Sequence, residues 1–131
     1  MEKGYNRDMN YVAGESNIGK EQAIKRSRDG WMAVGVAVLW PVLHVILSAP
    51  QFLMFLVGIP VFIAALRFLE ARSHFSVHYG LHGLYDVGEG IRHTESNEEY
   101  HLADRSRAKA LLVFATGIAF FIALLAYFVL V

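Results

Sequence analysis

Histidines are the side chains with the widest chemical reach in this chain of 131 residues. Four of the six lie between residues 70 and 93, and His74, His78 and His82 recur at every fourth position. Neutral imidazole is a ligand for zinc and iron. Two imidazoles at i and i+4 on a helix project from adjacent turns and can share one ion, as they do in HExxH helices. Asp86 or Glu89 would add an oxygen ligand. The candidate metal set is therefore His74, His78, His82 and Asp86, holding Zn or Fe.

The alternative is a solvated histidine face with no metal. HxxxH spacing arises often by chance, and all these ligands come from one segment. Membrane oxygenases and desaturases that use HxxxH motifs need more histidines, drawn from several segments. Haem needs two axial ligands that face each other. His44 lies deep in an apolar run and His74 lies beyond the end of the next, so the two are not expected to share one.

The segment that must position these groups reads as a helix by its period. At about 100° per residue, Glu70, His74, His78, His82, Asp86, Glu89 and His93 fall within roughly half of the circumference. Val77, Leu81, Leu84, Val87 and Ile91 cover most of the opposite arc. Phe75 sits on the ionisable side. Gly80, Gly83, Gly88 and Gly90 oppose a stable isolated helix, at about 1 kcal/mol each relative to Ala. Either packing overrides that cost or the helix breaks near Gly88 and Gly90.

On both sides of this segment the sequence is apolar. Hydrophobic residues make up 55% of the chain and charged residues 18%, which is apolar-rich for a soluble domain. Residues 31–66 contain no Asp, Glu, Lys or Arg. One helix of that length would be about 54 Å long, well beyond a hydrocarbon core of about 30 Å. Ser48, Ala49, Pro50 and Gln51 supply a turn near its middle. The run thus reads as a tight hairpin of spans, 31–49 and 51–69, with a re-entrant hairpin as the alternative. Trp31 anchors the first span at an interface. Pro41 and Pro60 should bend the two helices. Gly35 and Gly58 are candidates for close helix packing.

His44 is the one ionisable side chain inside the hairpin. Such a residue is a functional-site hypothesis by default. The plainer reading is an imidazole hydrogen-bonded to a carbonyl, for example one freed by Pro41.

Residues 110–131 form a second uncharged run, of transmembrane length. Gly117 with Ala115, Ala119 and Ala123 offers a small-residue contact seam, whereas no such cluster is seen around Ala126. Ahead of this run, Ser96 and Glu99 have capping-box spacing. A helix starting there can continue through Arg105, Arg107 and Lys109 into the span. At the other end of the chain, residues 1–30 are polar, and Ser16 or Asn17 can cap a short helix ending near Arg28. Lys25, Arg26 and Arg28 precede the first span as a topology signal or as contacts for anionic lipid headgroups. A cleaved signal peptide is not expected.

Orientation follows from charge. Six of the twelve Lys and Arg residues lie in 1–30 and the other six in 67–109. The positive-inside rule then places both segments in the cytoplasm and the C-terminus outside. The expected class is an all-α polytopic membrane protein. Its parts are a cytoplasmic polar segment (1–30), a transmembrane hairpin (31–69), a cytoplasmic amphipathic helical segment rich in histidine (70–109) and a C-terminal span (110–131). The expected location is a bacterial inner (plasma) membrane.

Function is narrowed mainly by exclusion. Zero formal net charge provides no global field for nucleic acid. The absence of cysteine excludes disulfides, thiolate metal sites and cysteine nucleophiles. No P-loop, dinucleotide fingerprint or serine triad occurs. The reading is a non-catalytic structural or accessory subunit of a larger membrane assembly for secretion, conjugation, respiration or transport. Its partners would be the lipid bilayer and other membrane subunits or copies of itself. The alternatives are the metal-binding protein described above and a holin-like pore or immunity/exclusion protein.

Overall fold

A computed structural model of the chain describes residues 11–88, 90–93 and 98–130. Glu89 as an oxygen ligand, Ser96 as a helix cap and the basic residues Lys3 and Arg7 lie outside the described residues.

Three helical stretches are long and apolar enough to cross a membrane. The first, α1, is Lys20–Ile46. It does not stop near Arg28. It continues through Gly30, where the chain needs a residue without a side chain. A Cβ there would lie 2.9 Å from the ring of Phe68 on the next helix. The expected caps Ser16 and Asn17 are not used; the N-cap is Gly19, with no side-chain cap.

The turn falls where the sequence placed it. Leu47 caps α1, Ser48 adopts φ 51°, and Pro50 starts a 3-10 helix, Gln51–Val57. This passes directly into α2, Gly58–Ser73. Pro60 sits in the first turn of α2. In a continuous α-helix its ring would clash with the carbonyl of Leu56, four residues earlier.

The segment after α2 departs from the expectation of one amphipathic helix over residues 70–93. His74 adopts the left-handed conformation (φ 54°) and ends α2, with Phe75 N–H donating to the Glu70 carbonyl at 3.0 Å. Ser76 then caps the six-residue α3, Val77–His82, its Oγ accepting from Tyr79 N–H. Gly83 (φ 67°) ends α3 in the left-handed region, which glycine enters without steric cost. Two short antiparallel strands follow, β1 (Leu84–Tyr85) and β2 (Arg92–His93), pairing Leu84 with His93 and Tyr85 with Arg92. The break therefore comes at His74 and again at Gly83, before Gly88. Tertiary bonds to the His74 turn outweigh the local helical period there.

The last helix, α4, is Glu98–Val129, one continuous element of 32 residues and about 48 Å. It carries Arg105, Arg107 and Lys109 into the apolar run, as the sequence suggested. Its buried face is Asp104, Ala108, Leu111, Ala115, Ala119, Ala123 and Ala126.

The helices form a row. The central α2 packs on α1 along one side and on α4 along the other, while α1 and α4 share little contact. One apolar cluster, at the turn end, joins Met54, Val57, Ala123 and Ala126, with Ala37 and Trp40 against it. Another, at the polar end, joins Phe75, Val77, Ala108 and Leu111, with Leu66 and Leu69 against it. The points where charged sequence gives way to apolar sequence come to one level: Gly30 lies on Phe68, and Leu66 and Leu69 pack beside Ala108 and Leu111. Beyond that level Val36, Leu39, Leu43, Val113, Phe114, Phe120 and Phe121 are exposed. Lipid can solvate such an apolar belt at no cost, whereas water cannot.

The small-residue seam is divided differently from the sequence expectation. Ala115, Ala119 and Ala123 face inward, and so does Ala126, packed on Met54 and Val57. Gly117 faces outward, as does Gly35, and a Cβ on either would meet nothing within 4 Å. Of Gly35, Gly58 and Gly117, Gly58 alone has a neighbour, its would-be Cβ in ordinary contact 3.5 Å from the Ala123 methyl.

Candidate functional site

The polar end of the row is a head built from residues 11–19, the His74 turn, α3, the strand pair and the first turns of α4. Three buried charged groups, Arg26, Glu70 and Asp104, collect here. Arg26 of α1 is 8% exposed and Glu70 of α2 is 2% exposed. Their charges meet with Arg26 Nε 3.5 Å from Glu70 Oε1. That contact lacks hydrogen-bond geometry, so Nε is satisfied by charge alone. The other guanidinium nitrogens donate to Gln22 Oε1 at 2.6 Å and to Ser76 Oγ at 3.1 Å. The guanidinium also lies 5.8 Å from the centre of the Tyr79 ring.

Glu70 is occupied on both oxygens. Oε1 accepts from Arg67 at 3.1 Å, and Oε2 accepts from Val77 N–H at 2.8 Å. Hydrogen bonds from an α3 amide and from Arg67, with the Arg26 guanidinium 3.5 Å away, offset the burial of this carboxylate. Asn17 extends the knot. Its Oδ1 accepts from Ser76 N–H at 2.6 Å and its Nδ2 donates to the Ser76 carbonyl at 3.0 Å. Its own backbone bonds the His74 carbonyl on one side and Asp86 N–H on the other.

A second buried carboxylate lies on α4. Asp104, fully buried, accepts from Tyr11 Oη and from Gly14 N–H, both at 2.7 Å. Tyr11 in turn stacks on Tyr85, ring centres 4.8 Å apart. The two centres tie the N-terminal segment to α2, α3, the strands and α4 at once.

The histidines are arranged differently from the predicted ridge. His74 is the left-handed cap of α2, and its carbonyl accepts from Asn17 and Ile18. His78 and His82 do share the exposed face of α3, ring centres 4.5 Å apart. His82 Nδ1 lies 2.8 Å from the His78 carbonyl. A carbonyl only accepts, so in this contact Nδ1 is the donor. Asp86 is directed elsewhere: Oδ2 accepts from Gln22 and Oδ1 from Gly88 N–H. The structure thus brings two of the four predicted ligands together. Among the described residues no three His, Asp or Glu side chains are placed to hold an ion.

His44, at the opposite end, is buried with Nε2 2.9 Å from the Pro50 carbonyl. It closes the turn between spans, using a carbonyl supplied by the turn itself, not one freed by Pro41. Trp40 Nε1–H does the same for the Leu53 carbonyl at 3.1 Å.

Sequence reasoning treated Arg26 as a surface charge and passed over Asp104. A signal was present for both. Ala23, Arg26, Gly30 and Ala33 are the buried positions in the first half of α1, spaced three and four apart. Asp104, Ala108, Leu111 and Ala115 have the same spacing on α4. A charge in phase with a stripe of small residues is carried inward with it.

The fold and the head together define a class, a three-helix row of membrane-spanning length with a polar head locked by buried charge. Comparison with protein-family models, with curated proteins and with solved structures gives no match.

Proposed function

We propose that this chain is an integral membrane protein with three spans and acts as a non-catalytic accessory subunit of a larger membrane assembly. The head and the segment 1–30 lie in the cytoplasm in this reading, with the end of α4 outside, because in the sequence all twelve Lys and Arg residues fall in 1–30 and 67–109 and none in the Pro50 turn or after Lys109. The supporting observation is the row. With α2 central, α1 and α4 each keep a lateral face free along the span, and each free face carries an outward glycine, Gly35 or Gly117. Acyl chains are as apolar as leucine, so helices associate in lipid through close packing, which small residues permit. The buried polar groups of the head are committed to one another, which suits a rigid docking body.

Crosslinking and native mass measurement in mild detergent test this. The protein should associate with a copy of itself or with another subunit, and Gly117→Leu should weaken that association while insertion is unchanged. A strictly monomeric protein indifferent to Gly117→Leu defeats the reading. The absence of native cysteine makes topology equally direct. Single cysteines at the exposed positions Lys25 and Arg105 should label from the cytoplasm, and one at Ser48 from outside. A second reading, Zn or Fe held by His78 and His82, is favoured by the two exposed rings lying side by side on α3, centres 4.5 Å apart. It requires ligands from another chain.

A further inference from the structure

On the polar side of the apolar belt, a shallow groove of about 520 Å³ is lined by residues of α1 and α2. Its rim carries Lys20 near the start of α1 and Arg72 and His74 at the end of α2. Its floor is apolar, formed by Ile24, Phe68 and Ala71. No carboxylate lines it among the described residues. The nearest buried acid, Glu70, is turned to the opposite side of α2 and is bonded to Arg26, Arg67 and Val77. Neither Lys20 nor Arg72 has an ion-pair partner among the described residues, whereas Arg26, six residues further along α1, is withdrawn into the head.

The groove opens onto the belt at a defined place. Phe68 of its floor meets Trp31 edge to face, ring centres 5.3 Å apart. Trp31 is exposed and is the first residue of the uncharged run. Tryptophan at this position marks the boundary between headgroups and acyl chains. A ligand seated in the groove would therefore hold an anionic group among two or three cations and direct an apolar tail downward past Ile24, Phe68 and Trp31.

We infer that this groove binds the headgroup of an anionic phospholipid, with its phosphate between Lys20 and Arg72 and its acyl chains along the α1–α2 seam. The inference rests on the membrane placement proposed above, not on the accessory-subunit role. Basic residues on a membrane surface gain about 1 kcal/mol each from anionic lipid, so losing two weakens binding roughly thirtyfold.

The test uses the full chain in detergent and in liposomes. Insertion is checked first by resistance to alkaline extraction, which separates failure of the membrane placement from failure of the lipid site. Native mass spectrometry then follows titration with phosphatidylglycerol, phosphatidylcholine or inorganic phosphate. One phosphatidylglycerol should be retained in preference to phosphatidylcholine. Lys20→Gln/Arg72→Gln should weaken it roughly thirtyfold, and Ile24→Gln should weaken it by a smaller factor. Lys25→Gln/Arg105→Gln removes the same charge from other exposed positions and should leave retention unchanged. Equal retention of the two lipids, or equal loss in the two double variants, overturns the site. Binding of inorganic phosphate that is insensitive to Ile24→Gln overturns the lipid assignment in favour of a free anion.

Discussion

The pair Arg26 and Glu70 offers a test in which the direction of non-additivity is fixed by the structure. Removing one partner of a buried ion pair leaves an uncompensated charge and costs about 3–5 kcal/mol. Glu70→Leu falls in this class, because Arg26 is 8% exposed and would lose its counter-charge. It also orphans the buried Val77 N–H, at about 1–3 kcal/mol more. Arg26→Met should cost less, about 2–3 kcal/mol on the same scale, because Glu70 keeps Arg67 and Val77.

The double variant removes both charges and replaces them with apolar groups. Its residual cost is the Val77 amide and the bonds lost at Gln22 and Ser76. It should therefore be more stable than the sum of the single changes predicts, by a coupling of about 2–3 kcal/mol. Arg67→Ala is the internal control. Its side chain is 37% exposed, and the cost should stay below about 1 kcal/mol. The assay is reversible unfolding in mixed micelles with increasing denaturing detergent, followed by the fluorescence of Trp31 and Trp40. Additivity of the two single changes within about 0.5 kcal/mol would refute the reasoning, since that is the behaviour of sites that do not interact.

Three further outcomes are expected. Asp104→Ala removes the acceptor of Tyr11 Oη and Gly14 N–H, so the Gly14 amide should exchange hydrogen at least tenfold faster, while Asn17 and Ile18 stay held by His74 and Ser76; unchanged exchange at Gly14 contradicts the tether. Gly30→Leu forces a side chain against the Phe68 ring and should destabilise by about 1–3 kcal/mol, read in the same unfolding assay, while Gly35→Leu, which meets open space, should be near neutral for folding. Protein purified without a histidine tag should carry no stoichiometric zinc or iron by elemental analysis, because the described part of one chain aligns only His78 and His82; one equivalent, lost in His78→Ala, would reverse that expectation.

The legible and illegible parts of this fold separate along a physical line. Three helices of spanning length and the Pro50 turn depend on composition over some twenty residues, which can be compared directly with a hydrocarbon core of about 30 Å. The continuity of α4 from its charged start into its apolar run was legible for a similar reason, since no residue in that stretch interrupts a helix. The histidine ridge was an angular argument, and angles accumulate only while the backbone stays helical. His74 and Gly83 both take left-handed conformations, and each one resets the phase. Glycine at 83 could have signalled such a break. At 74 nothing local does, because the conformation is held by Asn17 and Ile18 N–H groups arriving from more than fifty residues away in sequence. The same distance hides the pairing of Arg26 with Glu70, although not the burial of Arg26 itself, which its phase with Ala23, Gly30 and Ala33 carries. A basic residue just ahead of a span is usually assigned to the lipid surface. Here its register on the helix assigns it to the interior, while Lys20 and Arg72, which flank the packed face without belonging to it, stay exposed.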